Sequence, residues 1–372
     1  MRFPEFHGEW EKCKLGNIAT LTKGSGISKD QRSATGTPCI LYGELYTTYK
    51  SEVIDYVVSK TDISDKNLVR SCANDIIIPS SGETAIDIST ARCVLSPDVL
   101  LGGDLNIIRL KDGDGRFFSY QLNGVRKHDI AKIAQGVSVV HLYGESIKGL
   151  TVSFPSNKEQ QKISTLLSLI DERIATQSKL IEDLKKLKSA ISKKLLCNDK
   201  WNTFIIQDIA EIGRGRVISS VEIDRQKHPL YPVYSSQTSN NGIMGYLDNY
   251  MFDGEYITWT TDGANAGTVF YRKGKFNCTN VCGTLKILPK FDCYFVSLVL
   301  QQATQKYVSS NLANPKLMNN TMASIKIRMP NIETQKQLSK VFQTLDSCLL
   351  VHQRTCKMYL SEKQYLLRQM FI

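Results

Sequence analysis

The residues that could do covalent chemistry are few, and their spacing argues against catalysis. Asp183 and Lys185 have the separation of a carboxylate and a lysine in metal-assisted phosphodiester hydrolysis. They fall, however, in the middle of a long helix-like segment, where a solvated face accounts for them. The glycine-rich stretch GRGRVISS (213–220) lacks the lysine that a phosphate-cradling loop needs. Asn314-Pro315-Lys316-Leu317 lacks the second proline and the aromatic of an amino-methyltransferase motif. His7, His128, His141, His228 and His352 show no paired spacing. The ten cysteines stand as singles, and Cys278-x3-Cys282 has no matching pair at zinc-finger distance. They are expected to be reduced and mostly buried thiols. Neither a catalytic group nor a metal site is expected.

Composition points elsewhere. With 42% apolar and 22% charged residues among 372, the chain has the make-up of a folded protein long enough for two cores. The opening MRFPEFHGEW has no apolar leader run, and no later run reaches spanning length, so a cytoplasmic protein with no membrane partner is expected. The formal charge of +11 fits a polyanion partner as well as it fits a merely basic soluble protein.

The elements that would position any binding residue are written twice. FPSNKEQQKISTLLSLIDERI around Pro155 is repeated without a gap by MPNIETQKQLSKVFQTLDSCL around Pro330. Ile163 falls on Leu338, Leu167 on Phe342, Ile170 on Leu345, Ile174 on Leu349 and Asp171 on Asp346. A weaker echo sets WEKCKLGNIATLTKG from Trp10 on WNTFIIQDIAEIGRG from Trp201. The order is globular unit (1–155), helix (156–197), globular unit (198–330), helix (331–372), which places the chain in the α+β class. From Lys158 to Leu196 there is neither proline nor glycine, and a heptad can be written through the segment. Its a positions are Ile163, Ile170, Gln177, Leu184 and Ile191; d takes Leu166, Arg173, Leu180, Leu187 and Lys194; e adds Leu167, Ile174, Ile181 and Leu195. A stripe that wide predicts a third surface packing on it. In the second helix, a holds Leu338, Leu345, His352, Tyr359 and Leu366. Each rod of about 60 Å starts with an acid in its first turn, Glu159 or Glu333. Connectivity makes the pair an antiparallel coiled coil. Gln177 and His352, each at a helix midpoint, are expected to face one another and set register; the alternative is two separately solvated side chains. Asp171 and Asp346 are expected to share a structural role near the domain–helix junctions.

The globular units are mixed α/β, with strands expected over 74–79, 105–110, 255–259 and 283–288 and short helices over 121–127 and 294–302. Their lengths differ while their frames agree, which suggests similar scaffolds with different targets in their loops.

The chain resembles the specificity subunit of type I restriction–modification enzymes. The resemblance rests on the alternating layout, the opening RFPEFHGEWEKCKLGNI, the proline-led EQQKI and TQKQL helix starts and the terminal LLRQMF, and it covers essentially the whole chain. YPVYSSQ (231–237), NGIMGYLDNYMFDGEY (241–256), TTDGANAGTVFYRKGKF (260–276), NDIIIPSSG (74–82) and GGDLNIIRL (102–110) look like target-recognition-domain strands and loops. One departure is Thr334 where the first helix has Glu159. The resemblance implies that each domain reads one half of a bipartite sequence in double-stranded DNA, with the helix pair as a ruler. It also implies two methyltransferase subunits docked on the chain, and a motor-nuclease restriction subunit in systems that cleave. S-adenosylmethionine, ATP and Mg²⁺ would then bind to those partners and not to this chain. The broad helix stripe, with Ile163, Leu167, Ile170, Ile174, Gln177, Leu184, Leu338, Phe342, Leu345, Leu349, His352 and Tyr359, would serve as coiled-coil core and docking face.

On that reading, base edges are met by polar loop residues and phosphates by lysine and arginine. In the second domain the expected DNA contacts are Ser235, Ser236, Gln237, Thr238 and Asn240 in one loop and Thr261, Asp262 and Asn265 in another. Arg272 and Lys316 join them as phosphate or guanine contacts. In the first domain they are Tyr42, Glu44 and Tyr46, then Ser80, Ser81 and Glu83, with Lys23, Arg92, Ser138 and His141. Any of these could instead be an ordinary turn residue, and Tyr42 and Tyr46 could be core aromatics. Two other readings stay open: a coiled-coil scaffold for non-DNA partners, and a self-contained DNA enzyme, which the missing motifs oppose.

Overall fold

A computed structural model describes residues 2–64, 67–196, 198–309 and 314–371. Two compact units emerge: residues 1–179 with 352–372, and residues 180–351. Each long helix is therefore shared, one half belonging to each unit.

In the first unit, β1 (Glu11–Lys14), β2 (Ala19–Lys23), β3 (Val53–Ile54), β4 (Asp75–Pro79), β5 (Arg92–Val94) and β6 (Leu105–Leu110) precede helix α1 (Gly115–Asn123). Strand β7 (Thr151–Phe154) then leads into the long helix α2 (Asn157–Leu195). The main sheet has the order β2-β6-β4-β5-β3, and β1 pairs with β7 separately. Ile76, Ile77, Ile78, Ile107 and Ile108 are wholly enclosed, because the central strands carry β-branched residues on both faces. Helix α1 is capped by Asp114, whose carboxylate accepts from Arg116 N at 2.9 Å. It covers one sheet face with Phe117, Phe118 and Tyr120. The helix expected over 121–127 is displaced: α1 stops at Asn123, Gly124 follows, and a new helix runs over Lys127–Ile133.

The second unit repeats the plan. Strands β8 (Asn202–Ile205), β9 (Ala210–Arg214), β10 (Glu255–Thr260), β11 (Val269–Lys273) and β12 (Cys282–Ile287) precede helix α3 (Cys293–Ala303). Strand β13 (Lys326–Met329) then leads into the long helix α4 (Ile332–Gln369). The main sheet has the order β9-β12-β10-β11, and β8 pairs with β13 as β1 does with β7. Asp292 caps α3 as Asp114 caps α1. Trp10 packs edge-on against Phe117, and Trp201 against Phe295.

The junction between domain and helix is also duplicated. Gln160 donates to Pro155 O at 2.8 Å and accepts from Asp114 N at 3.0 Å; Gln335 does the same with Pro330 O and Asp292 N at the same distances. Tyr120 donates to Asp171 at 2.8 Å and Tyr294 to Asp346 at 2.6 Å. Burial and these carboxylates push both phenols well above their ordinary range. The recurring aspartates thus anchor the cap helix of each domain to its long helix.

Within the first unit the halves of α2 and α4 run antiparallel, with Asp171 beside Lys363 at one end and Gln177 beside His352 at the other. Gln177 Oε1 lies 2.7 Å from His352 Nδ1, so the expected midpoint pair forms. Lys363 is enclosed with Glu52 and Asp171 and pairs with both. In the second unit the corresponding lysine, Lys188, pairs with Asp346.

The seam is narrower than the heptad reading. One row of covered or half-covered positions along α2 runs 163, 167, 170, 174, 177, 181, 184, 188, 191 and 195 in alternating steps of four and three. It is widened beside the first domain by Glu159, Gln160, Ser164, Leu166, Ser168 and Asp171, and near the helix end by Ser192. Beyond Leu166, which is half-buried against the first core, the d row is not part of it, for Arg173, Leu180, Leu187 and Lys194 are exposed. Both frames satisfy the apolar spacing, but the d frame would bury Arg173 and Lys194 without partners, at prohibitive desolvation cost. Leu169, Leu180 and Leu187 remain on the surface, as do Val351, Met358 and Tyr365 on α4.

Nine cysteines are free thiols, of which Cys39, Cys93, Cys278, Cys282 and Cys293 are buried; Cys197 lies outside the described residues. Among the described residues no metal-binding cluster occurs, and no helix is long and apolar enough to cross a membrane.

Candidate nucleic-acid interface

One end of each main sheet gathers polar loop residues in the same pattern. In the first domain β2 ends at Lys23, which lies opposite Asn106 on β6; in the second, β9 ends at Arg214, opposite Gly283 on β12. The central strand then runs into Ser80-Ser81-Gly82 or Thr261-Asp262-Gly263. A returning segment crosses it: Leu142 N donates to Ser80 O and Leu317 N to Thr261 O, both at 2.9 Å. This pairs His141 with Ser81, and Lys316 with Asp262. Three residues expected independently as DNA contacts in one domain therefore have spatial counterparts expected in the other: Ser80 and Thr261, Ser81 and Asp262, His141 and Lys316.

The side chains at this end differ in availability. Lys23, Glu83, Ser138, His141 and Asn265 are exposed, and Ser81 and Asp262 are half-buried. Lys316 Nζ stands 3.5 Å from Asp262, which also accepts from Asn314 at 3.1 Å. The hairpin between Gln135 and His141 carries Ser138 at its tip, beside the almost fully exposed Val137. In the second domain Thr238 and Asn240 are exposed, and Ser235, Ser236 and Gln237 are half-buried. Gln237 donates to Ile243 O, and Asn265 donates to Ser236 O at 3.3 Å, tying the two expected loops together. Asn240 and Asn241 both adopt positive φ, and Gly242 closes the turn beside Arg272.

Five expected contacts are enclosed and belong to the scaffold. Arg92 donates to Leu45 O at 3.1 Å, Tyr49 O at 3.0 Å and Ala91 O at 3.3 Å, and burial lowers its pKa. Arg272 lies between the rings of Tyr234 and Phe270, at 3.5 and 4.4 Å, and donates to Thr258 at 3.2 Å. Burial brings its pKa down to about 10. Glu44 accepts from Leu41 N at 2.9 Å and from Ser59, with Arg32 at 3.6 Å. Ser80 is buried against the Asp104 carbonyl, and Thr261 is wholly buried beneath Arg214. All five are turned into the fold and away from solvent, although Arg272 Nη1 finds no partner there among the described residues. Tyr42 is exposed, whereas Tyr46 is half-buried with its phenol pKa raised by burial.

A cleft of about 980 Å³ opens beside the first-domain loops, lined by Ser28, Lys29, Arg32, Tyr42, Thr47 and Asp104 among others. Ser28, Lys29, Arg32 and Thr47 were not among the expected contacts, and neither was Arg214. For Arg214 a signal was available, because the Trp10–Trp201 echo sets Lys23 directly on it.

The model of the type I restriction modification DNA specificity domain matches twice, over residues 7–186 and 198–357. A Mycoplasma pneumoniae protein named "Putative type I specificity subunit S.MpnORF201P" is 39% identical over 195 residues, 52% of this chain and 81% of its own length. The type I restriction enzyme MpnII specificity subunit of the same organism is 43% identical over 145 residues, 39% of this chain and 43% of its own length. In fold, the chain is similar to the crystal structure of a type I restriction-modification S subunit from M. genitalium, with TM-score 0.74 and 19% identity. That match covers 100% of this chain and 99% of the other. A chain from a structure describing assembly and conformational transition of the type I R-M system aligns at TM-score 0.55 and 11% identity, over 98% of this chain and 97% of that one.

Proposed function

The chain belongs to the type I restriction-modification DNA specificity family, and from that premise we propose that it reads a bipartite target in double-stranded DNA, one half-site per domain. The observation that carries the reading is the duplicated sheet end, where Lys23, Ser81 and His141 in one domain answer to Arg214, Asp262 and Lys316 in the other. Two copies of one reading platform with different side chains suit two different half-sites. The surplus of positive charge suits the phosphate backbone.

The candidate contacts that are exposed or half-buried are Lys23, Tyr42, Tyr46, Ser81, Glu83, Ser138 and His141 in the first domain. In the second they are Ser235, Ser236, Gln237, Thr238, Asn240, Asp262, Asn265 and Lys316. The long helices act as the ruler between half-sites, and two methyltransferase subunits dock on their exposed apolar residues, Leu169 and Met358 in the first unit and Leu187, Leu350 and Val351 in the second. Those partners supply S-adenosylmethionine chemistry, and a restriction subunit using ATP and Mg²⁺ completes systems that cleave. The chain itself is non-catalytic and works in the cytoplasm, where that DNA lies.

The test is methylome sequencing of a strain lacking this system, given this gene with its neighbouring methyltransferase gene. A bipartite N6-methyladenine motif that needs both genes is the expected result. Co-purifying, folded subunits that mark no new motif would refute the reading and leave the coiled-coil scaffold. Lengthening both helices by four residues should change the unread spacer and leave both half-sites intact.

A further inference from the structure

Arg214 stands apart from the other cations of the second domain. It is the last residue of β9, exposed, and flanked by Gly213 and Gly215. A Cβ on Gly215 would come within 2.1 Å of Cys278 O, so the backbone beside Arg214 sits tight against the loop beneath it. Its guanidinium is held along one edge: Nε donates to Asn280 O at 2.5 Å and Nη2 donates to Thr261 Oγ1 at 3.0 Å. Thr261 is wholly buried, so that anchor does not move. Both acceptors are neutral, which leaves the full positive charge unneutralised by them. Nearby cations are differently placed: Arg216 is paired bidentately with Glu222, and Lys316 stands beside Asp262. A planar guanidinium bound through its Nε/Nη2 edge still has the Nη1/Nη2 edge, with two parallel N–H donors. That fork, fixed in direction before any ligand arrives, matches the paired acceptors O6 and N7 on the major-groove edge of guanine. A flexible lysine, as at the counterpart Lys23, which has no anchor among the described residues, offers only a point charge.

We infer that Arg214 is a specificity-determining residue that reads a guanine in the half-site of the second domain through its Nη1/Nη2 edge. The inference rests on the proposed bipartite reading, and the experiment separates the two. Methylome sequencing with the wild-type chain first defines the motif. The purified complex with its methyltransferase is then titrated with duplexes in which each guanine of the second half-site is replaced in turn. Wild type should discriminate by about 5- to 150-fold at each guanine read by a bidentate pair. In Arg214→Ala, discrimination at one guanine should collapse toward one, with the other positions and the first half-site unchanged. Arg214→Lys, which keeps the charge, should not restore it. If Arg214→Ala weakens all duplexes alike, or Arg214→Lys recovers wild-type discrimination, Arg214 is a phosphate anchor and the inference falls. A wild-type motif without guanine in that half-site also overturns it, while leaving the bipartite reading intact. Absence of any wild-type motif defeats both.

Discussion

Lys363→Met should unlock the end of α4 from the first domain, and its counterpart Lys188→Met should do almost nothing. Lys363 Nζ lies 2.5 Å from Asp171 and is also paired with Glu52, and each of the three side chains is about one-tenth exposed. Methionine keeps the stem and removes the charge, leaving two carboxylates buried together. Removing one partner from an enclosed ion pair costs about 3–5 kcal/mol, mostly because the remaining charge is stranded away from water. Lys188 is one-quarter exposed and Asp346 two-fifths exposed, so solvent screens that pair and its loss should cost at most about 1 kcal/mol. Amide exchange reads both units in one sample. Amides of β6 should exchange about a hundred to several thousand times faster in Lys363→Met, since every 1.4 kcal/mol is a factor of ten. Amides of β12 should shift by less than about tenfold in Lys188→Met. Adding Glu52→Gln and Asp171→Asn to Lys363→Met should recover much of the loss, because a neutral cluster no longer strands charge. Equal effects of the two lysine substitutions, or less than a tenfold change in Lys363→Met, would refute the argument.

Three further outcomes follow from the same packing. Tyr120 and Tyr294 have folded pKa values above the ordinary phenol value, so their stabilising contribution is complete below about pH 10 and is lost as pH rises toward the folded values. Alkaline unfolding followed by circular dichroism should therefore begin near pH 10 and become shallower in Tyr120→Phe with Tyr294→Phe. Arg272→Met should cost the second unit about 2 kcal/mol in urea denaturation, by loss of the aromatic sandwich and the Thr258 bond, and leave the methylated motif unchanged. Gln177→Leu combined with His352→Leu should raise stability by about 1 kcal/mol, whereas either alone should lower it by stranding its partner. Calorimetry of the two singles and the double decides the point.

Much of the architecture can be read from local patterns. An unbroken heptad without glycine or proline leaves a long helix as the only way to bury its stripe, and the gapless repeat dictates that this happens twice. The β-branched runs 74–79 and 105–110 could hardly be anything but central strands. Asp171 and Asp346 announced a shared junction because both the helix and its setting recur. Frame was less legible, since apolar spacing alone permits steps of three or four, and only the cost of enclosing Arg173 and Lys194 selects between them.

The binding face depended most on tertiary structure. Arg92, Arg214 and Arg272 are chemically identical and all follow or lie in strands, yet their fates differ. Arg92 finds three backbone carbonyls, two of them more than forty residues away, and Arg272 finds two aromatic rings, so both can be enclosed. Arg214 is held by one edge and presents the other. Whether an arginine is structural or recognitive is set by the acceptors that the fold brings around it from distant segments, and a guanidinium carries no mark of that in its own neighbourhood. The two-fold plan, the helices and the family are legible along the chain, because periodicity and repetition are local properties. Which polar side chains face outward is settled by packing, because satisfaction of a buried donor is a property of the whole packed unit.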